Sequence, residues 1–248
     1  MKAQSRERDA HQTERETQHE TGTVAFERDL SAEPATEAFG AAIGRLLRPG
    51  DVVTLRGGLG AGKTTLTRAI AQGAGVGADQ GVSSPTFVIV QEYAAETDPA
   101  ERALERLIHV DAYRLGGEDE LDTIGWDRFE RGGLATLRAA MVCEWAERIP
   151  HAVRALGPAM QIELEITGER ARQAAVRLPN TWSDRPTFDA LVTREPTRCR
   201  KTGAWVAPDN PHWPFADERA QMADLYGWFS GSYKVSRDVR DSDLEETE

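Results

Sequence analysis

The stretch RGGLGAGKTT, residues 56–65, decides the fold. It carries the pattern G-x-x-x-x-G-K-T from Gly57 to Thr64, with the apolar run VVTL (52–55) before it and TTLTRAIAQGA, patterned as a helix, after it. Strand, glycine loop and helix in that order are the context that makes the pattern a phosphate-binding loop. Glycines let backbone N–H groups turn inward around phosphate oxygens, and the N-terminus of the helix adds partial positive charge. Gly57, Gly58, Leu59, Gly60, Ala61, Gly62, Lys63, Thr64 and Thr65 are therefore the candidate nucleotide-binding set. Lys63 is expected to neutralise the β- and γ-phosphates of a nucleotide, and Thr64 to ligate Mg²⁺.

Working outward, TVAFERD (23–29) alternates like a half-buried strand, and SAEPATEAFGAAIGRLL reads as a helix with Ser31 as its N-cap. FVIVQEY (87–93), LIHVDAY (107–113) and AAMVCEW (139–145) are strand-like, and GEDELDTIGWDRF is expected to be helical and exposed. QIELEIT (161–167) and AAVRLP (174–179) form a candidate antiparallel pair. The fold class that follows is α/β, with a mixed, mainly parallel central sheet around the phosphate loop and antiparallel additions at its edges. Residues 1–22 are almost wholly polar and cannot repay the entropy of ordering, so they read as a disordered tail. A phosphate-loop domain is expected over 23–181, a linker over 182–190, a small module over 191–240 and an acidic tail over 241–248.

The formal net charge of −11 argues against broad nucleic-acid binding, which depends on counterion release by lysine and arginine. Cys143 and Cys199 are the two cysteines, too few for a disulfide framework, and are expected to be free thiols. No apolar run reaches the ~20 residues that span a bilayer. No secretory leader is legible either, so no membrane partner and a cytoplasmic location are expected.

Carboxylates at strand ends lie where parallel α/β sheets place ligands, which makes Asp111 and Glu144 the candidate acids of the site. The ordered set GGLGAGKTT, SSPTF (83–87), HVDAYRL (109–115) and EW (144–145) resembles the TsaE (YjeE) family of bacterial ATPases over about residues 23–180. The resemblance implies weak ATP hydrolysis in support of threonylcarbamoyladenosine formation at position 37 of tRNAs that read ANN codons. It implies action in a complex with TsaB- and TsaD-like proteins, with tRNA reached only through that complex. By the same resemblance Ser84, Pro85 and Thr86 form a switch segment, and Asp111 with Tyr113 and Arg114 forms a D-x-Y-R element. Glu144 and Trp145 then lie near the nucleotide, so that Lys63, Asp111 and Glu144 become the catalytic candidates, with Thr64 and Glu144 on Mg²⁺. His109 is read as structural. Family members carry an acid where this chain has Gly58, which leaves nucleotide binding intact but removes a side chain from the loop.

Residues 191–235 are similar to the YacG family of small zinc proteins, described as DNA gyrase inhibitors. The shared frame is Pro196-Thr197, Trp205, Asn210-Pro211, Pro214-Phe215, Glu218-Arg219, Asp224-Leu225, and Trp228 with Tyr233. In that alignment Glu195 and Arg198 stand at the first pair of zinc ligands and Ala216 and Ala220 at the second, so a zinc-ribbon-like module without zinc is expected. Such a module needs an aromatic core, docking on the ATPase domain or a protein partner to hold it. Two other readings stand beside the ATPase: a small-substrate kinase, disfavoured by the lack of an Arg-rich lid, and a nucleotide-switched protein that engages gyrase or another protein through the module.

Overall fold

The order in which the apolar runs pair sets where the phosphate loop sits. The computed structural model describes residues 19–20, 22–83, 89–96, 103–169 and 171–229. Eight strands form one sheet: β1 (His19–Glu20), β2 (Thr23–Asp29), β3 (Val52–Arg56), β4 (Val90–Ala94), β5 (Arg106–Asp111), β6 (Ala139–Glu144), β7 (Ala159–Ile166) and β8 (Arg172–Pro179). Their spatial order is β1-β2-β8-β7-β3-β6-β5-β4. Helices α1 (Glu33–Leu46), α2 (Lys63–Gly73), α3 (Gly133–Thr136), α4 (Pro150–Ala155) and α5 (Phe188–Thr193) accompany the sheet. A small C-terminal unit follows, built from β9 (Thr197–Arg198), β10 (Trp205–Val206) and α6 (Glu218–Phe229).

The four central strands, β7, β3, β6 and β5, are mutually parallel. The edges are antiparallel, and four of the seven neighbouring pairs are of that kind, so the sheet is mixed rather than mainly parallel. A tight turn suffices between β7 and β8, whereas each parallel pair needs a long crossover, and that economy extends the sheet by antiparallel addition. Burial follows the same division. All six residues of β6 and the first four of β3 are buried, as befits strands covered on both faces, while β7 and β8 alternate between buried and exposed positions.

One face of the sheet packs on α1 and α2 through Phe39, Ile43, Leu66 and Ile70, and the other on Leu121, Trp126, Phe129 and Ile149. The two long helices approach closely because of glycine. A Cβ on Gly44 would lie 2.1 Å from the carbonyl oxygen of Ile70, and one on Gly73 would lie 2.1 Å from that of Ala41. This contact fixes α2, and with it the loop that α2 terminates.

Three expectations change. Ala32, not Ser31, is the N-cap of α1; the Ser31 amide and hydroxyl instead turn back to the carboxylate of Asp29. The segment 118–129 is two 3₁₀ turns, Glu118–Ile124 and Trp126–Phe129, broken at Gly125 with φ +66°. Its charges point outward, but Trp126 and Phe129, three residues apart, project together into the core and stack edge to face. The segment 182–190, expected as a linker, is packed: Trp182 and Phe188, with Leu191 just beyond it, belong to the main core. There Arg185 forms a buried, two-pronged ion pair with Asp51 at 2.5 and 2.8 Å and lies over the Trp182 ring. Residues 1–18 of the N-terminal tail, Ser84, Pro85 and Thr86, Tyr233 and the acidic tail 241–248 lie outside the described residues.

Candidate functional site

The phosphate loop leaves the carboxyl end of β3 and ends at the first residue of α2, Lys63. Gly57 turns with φ +135°, and a Cβ there would meet the Leu164 carbonyl oxygen at 2.4 Å, so the loop is held against β7 by the lack of a side chain. Gly60 and Gly62 also have positive φ, at +76° and +100°. Gly62 caps α2 and makes no side-chain cap bond, which leaves the amides of the first turn directed at the loop. A Cβ on Gly58 would meet nothing within 4 Å. The acid that the TsaE resemblance places there has room.

Lys63 is almost fully buried, and its ammonium donates to the carbonyls of Gly57 (2.7 Å) and Gly58 (2.8 Å). The same Nζ lies 3.6 Å from the centre of the Trp145 ring. Burial holds its pKa below the ordinary lysine range, opposed by the carboxylates of Glu144, Glu147 and Asp111. A cation taken out of water and set among such weak acceptors is primed to trade them for phosphate.

Glu144 ends β6, directly beside Leu55 of β3 and Asp111 of β5. Only 1% of it is exposed, yet both oxygens are satisfied. Oε2 accepts from Thr64 Oγ1 at 3.0 Å, while Oε1 accepts from Thr67 Oγ1 at 2.8 Å and lies 3.0 Å from His109 Nε2. The two residues expected to share Mg²⁺, Thr64 and Glu144, are therefore in contact. Asp111 is half-buried, with Oδ1 accepting the Tyr113 amide at 3.0 Å. Trp145 follows in the left-handed region, φ +57°, its amide bonded to the Leu55 carbonyl at 3.0 Å and its ring 4.8 Å from that of Tyr113. The structure thus brings together Lys63, Thr64, Asp111, Glu144 and Trp145. Thr67 and His109 were not singled out for the site, although Thr67 stands one helical turn after Thr64 and His109 stands two residues before Asp111 on the same face of β5.

The C-terminal unit lies against the main domain. Asp209 takes a two-pronged ion pair from Arg45 of α1, at 2.5 and 2.7 Å, and Arg28 of β2, which also donates to the α5 carbonyls of Leu191 and Val192, lies 3.5 Å from Glu195 just ahead of β9. Its own small core is Cys199, Val206 and Ala220, packed by Trp213, Phe215 and Ala216. Glu195 lies 3.5 Å from Arg28 and the Arg198 guanidinium sits over Trp205, so neither joins Ala216 and Ala220. Cys199 does, because the chain reverses after β9 through a turn closed by the Gly203 amide on the Cys199 carbonyl at 2.8 Å. Burial raises the pKa of this thiol, but hydrogen bonds from the Thr202 side chain and from the Ala216, Thr202 and Lys201 backbone outweigh it and bring it to about 7. On the far side of α6, Met222, Leu225, Tyr226 and Phe229 are exposed at i, i+3, i+4 and i+7.

Residues 30–174, more than half of the chain, match the model of the family described as "Threonylcarbamoyl adenosine biosynthesis protein TsaE". The tRNA threonylcarbamoyladenosine biosynthesis protein TsaE of Streptomyces coelicolor is 44% identical over 111 residues, 44% of this chain and 66% of that protein. Its counterpart of the same name in Bacillus subtilis is 39% identical over 114 residues, 46% of this chain and 62% of the relative. That of Mycobacterium leprae is 36% identical over 158 residues, 61% of this chain and 89% of the relative. The matched stretch spans less than two thirds of the first two relatives. The C-terminal unit lies beyond the residues matched by the family model. With the phosphate loop, the D-x-Y-R element and the Glu144-Trp145 pair all within the matched residues, the chain belongs to the TsaE family.

Proposed function

We propose that this chain is an ATP-binding and ATP-hydrolysing subunit that supports threonylcarbamoyladenosine formation at position 37 of tRNAs reading ANN codons. It acts with TsaB- and TsaD-like proteins and meets tRNA through that complex. The observation that carries the reading is the contact of Glu144 with Thr64 at the mouth of the phosphate loop. Two hard oxygen donors held 3.0 Å apart beside a lysine suit Mg²⁺ on a nucleotide, and the glycine turns suit its phosphates. Bound Mg²⁺ supplies positive charge that neutralises the phosphate oxygens.

The chain's own residues divide the remaining work. Backbone amides from Gly57 through Thr65 hold the phosphates, with Lys63 released from the Gly57 and Gly58 carbonyls to meet them. Thr64 and Glu144 are the protein ligands of Mg²⁺. Asp111, at the end of the neighbouring strand, orients the attacking water, and Trp145 closes over Lys63 and the nucleotide. ATP hydrolysis measured with and without the cognate TsaB–TsaD pair tests the proposal; a rate that does not respond to the pair refutes it.

The exposed stripe on α6 favours a second role, in which the C-terminal unit engages gyrase as a protein partner. Inhibition of gyrase supercoiling by the full chain, lost in Leu225→Glu, is the expected result, and no inhibition by the wild type removes this role. The unit is proposed to hold without zinc, since Cys199, Thr202, Ala216 and Ala220 offer one sulfur where a structural site needs four ligands. One zinc per chain in elemental analysis would refute that.

A further inference from the structure

We infer that His109 is a positioning residue for Glu144: it binds one carboxylate oxygen so that the other alone is presented to Thr64 and the cation. The inference rests on the functional reading above and adds a residue to it. His109 lies within β5, opposite Val142 of β6, so its side chain and that of Glu144 emerge on the same face of the sheet. Both are essentially without solvent exposure.

The hydrogen bonds define what each atom carries. Glu144 Oε1 accepts from Thr67 Oγ1 at 2.8 Å and lies 3.0 Å from His109 Nε2. The contact is a hydrogen bond when Nε2 donates to the carboxylate oxygen, which assigns the imidazole hydrogen to Nε2. The other ring nitrogen, Nδ1, is buried with no hydrogen-bond partner among the described residues. The opposite tautomer would bury an unpaired N–H there and set a nitrogen lone pair against the carboxylate, so both ends of the ring select the same form. Oε1 then takes the imidazole N–H and lies against Thr67 Oγ1, whose one hydrogen is shared with the Lys63 carbonyl at 3.0 Å, and Oε2, 3.0 Å from Thr64 Oγ1, is the oxygen left to face the phosphate loop. Without His109 the carboxylate can rotate about its last bond and divide its oxygens between Thr67 and Thr64. Hydrogen bonds to a ligating carboxylate fix its orientation in this way, and their loss costs about 10–100-fold in metal affinity.

The test measures equilibrium binding of a fluorescent ADP analogue to the full chain in EDTA and across a Mg²⁺ titration, for wild type, His109→Leu and His109→Gln. In EDTA all three should bind alike. Half-maximal Mg²⁺ should rise about tenfold or more in His109→Leu, and His109→Gln, whose amide retains a donor, should recover most of that loss. Nitrogen-15 NMR of the wild-type imidazole supplies a reading independent of any variant: protonated Nε2 and bare Nδ1 are expected. Protonated Nδ1, or a His109→Leu titration that matches wild type, overturns the inference alone. A wild-type protein whose nucleotide binding ignores Mg²⁺ overturns the functional reading, and this inference with it.

Discussion

Arg185→Ala removes the cation that neutralises Asp51 at the start of β3. Asp51 and Arg185 are 7% and 8% exposed, and both prongs of the guanidinium reach the carboxylate. Breaking a buried pair from one side costs about 3–5 kcal/mol, because the remaining charge stays in a medium that cannot solvate it. The lower end, ~3 kcal/mol, applies here: the Arg48 amide still donates to Asp51 at 2.6 Å, although the Leu46 carbonyl also loses its bond from Arg185. The loss should depend on pH. Burial already raises the Asp51 pKa above 3.8, more than the Arg185 hydrogen bond and charge lower it. Without Arg185 it rises further, so the folded variant holds a proton that the unfolded chain has released. Stability of the variant then falls as pH rises through the Asp51 range, and the deficit is larger at pH 8 than at pH 5. Urea unfolding followed by circular dichroism at both values measures this. A deficit under ~1 kcal/mol at pH 8, or one that grows toward pH 5, refutes the claim that residues 182–193 are part of the main core.

Other consequences are more local. Lys63→Ala should weaken ATP binding at least about tenfold in calorimetry, the value of one charge-assisted contact to phosphate, with the fold unchanged. Gly57→Ala should cost about 1–3 kcal/mol and distort the loop, since its Cβ collides with the Leu164 carbonyl, while Gly58→Glu should change thermal stability by under ~0.5 kcal/mol. Arg45→Ala should loosen the C-terminal unit by about 1 kcal/mol, read as faster hydrogen exchange in 197–215 with the central strands unaffected.

What the sequence made legible was local. The strand–loop–helix at 52–74 and the hairpin of β7 and β8 are set by short-range pattern, and both stand as read. Asp111 and Glu144 could be placed at strand ends because their apolar runs stop there. Their contacts could not: the bond between His109 and Glu144 joins residues 35 apart and depends on the β5–β6 register. In 118–129 the run of acids suggested an exposed helix, yet Gly125 breaks it and Trp126 and Phe129 answer to the core rather than to the charge pattern. In 182–190 the polar, proline-containing composition hid Trp182 and Phe188, the two side chains that anchor the segment. In the C-terminal unit the turn at Cys199–Gly203 decides that Cys199 points inward, and composition alone does not reveal that turn.

The proposed role stands or falls with ATP bound at Lys63 serving tRNA modification. The direct test is nucleoside analysis of tRNA from cells depleted of this protein and complemented with wild type or Lys63→Ala. Threonylcarbamoyladenosine restored by wild type and not by Lys63→Ala is the predicted result. Undiminished modification in depleted cells, or full restoration by Lys63→Ala, would contradict it.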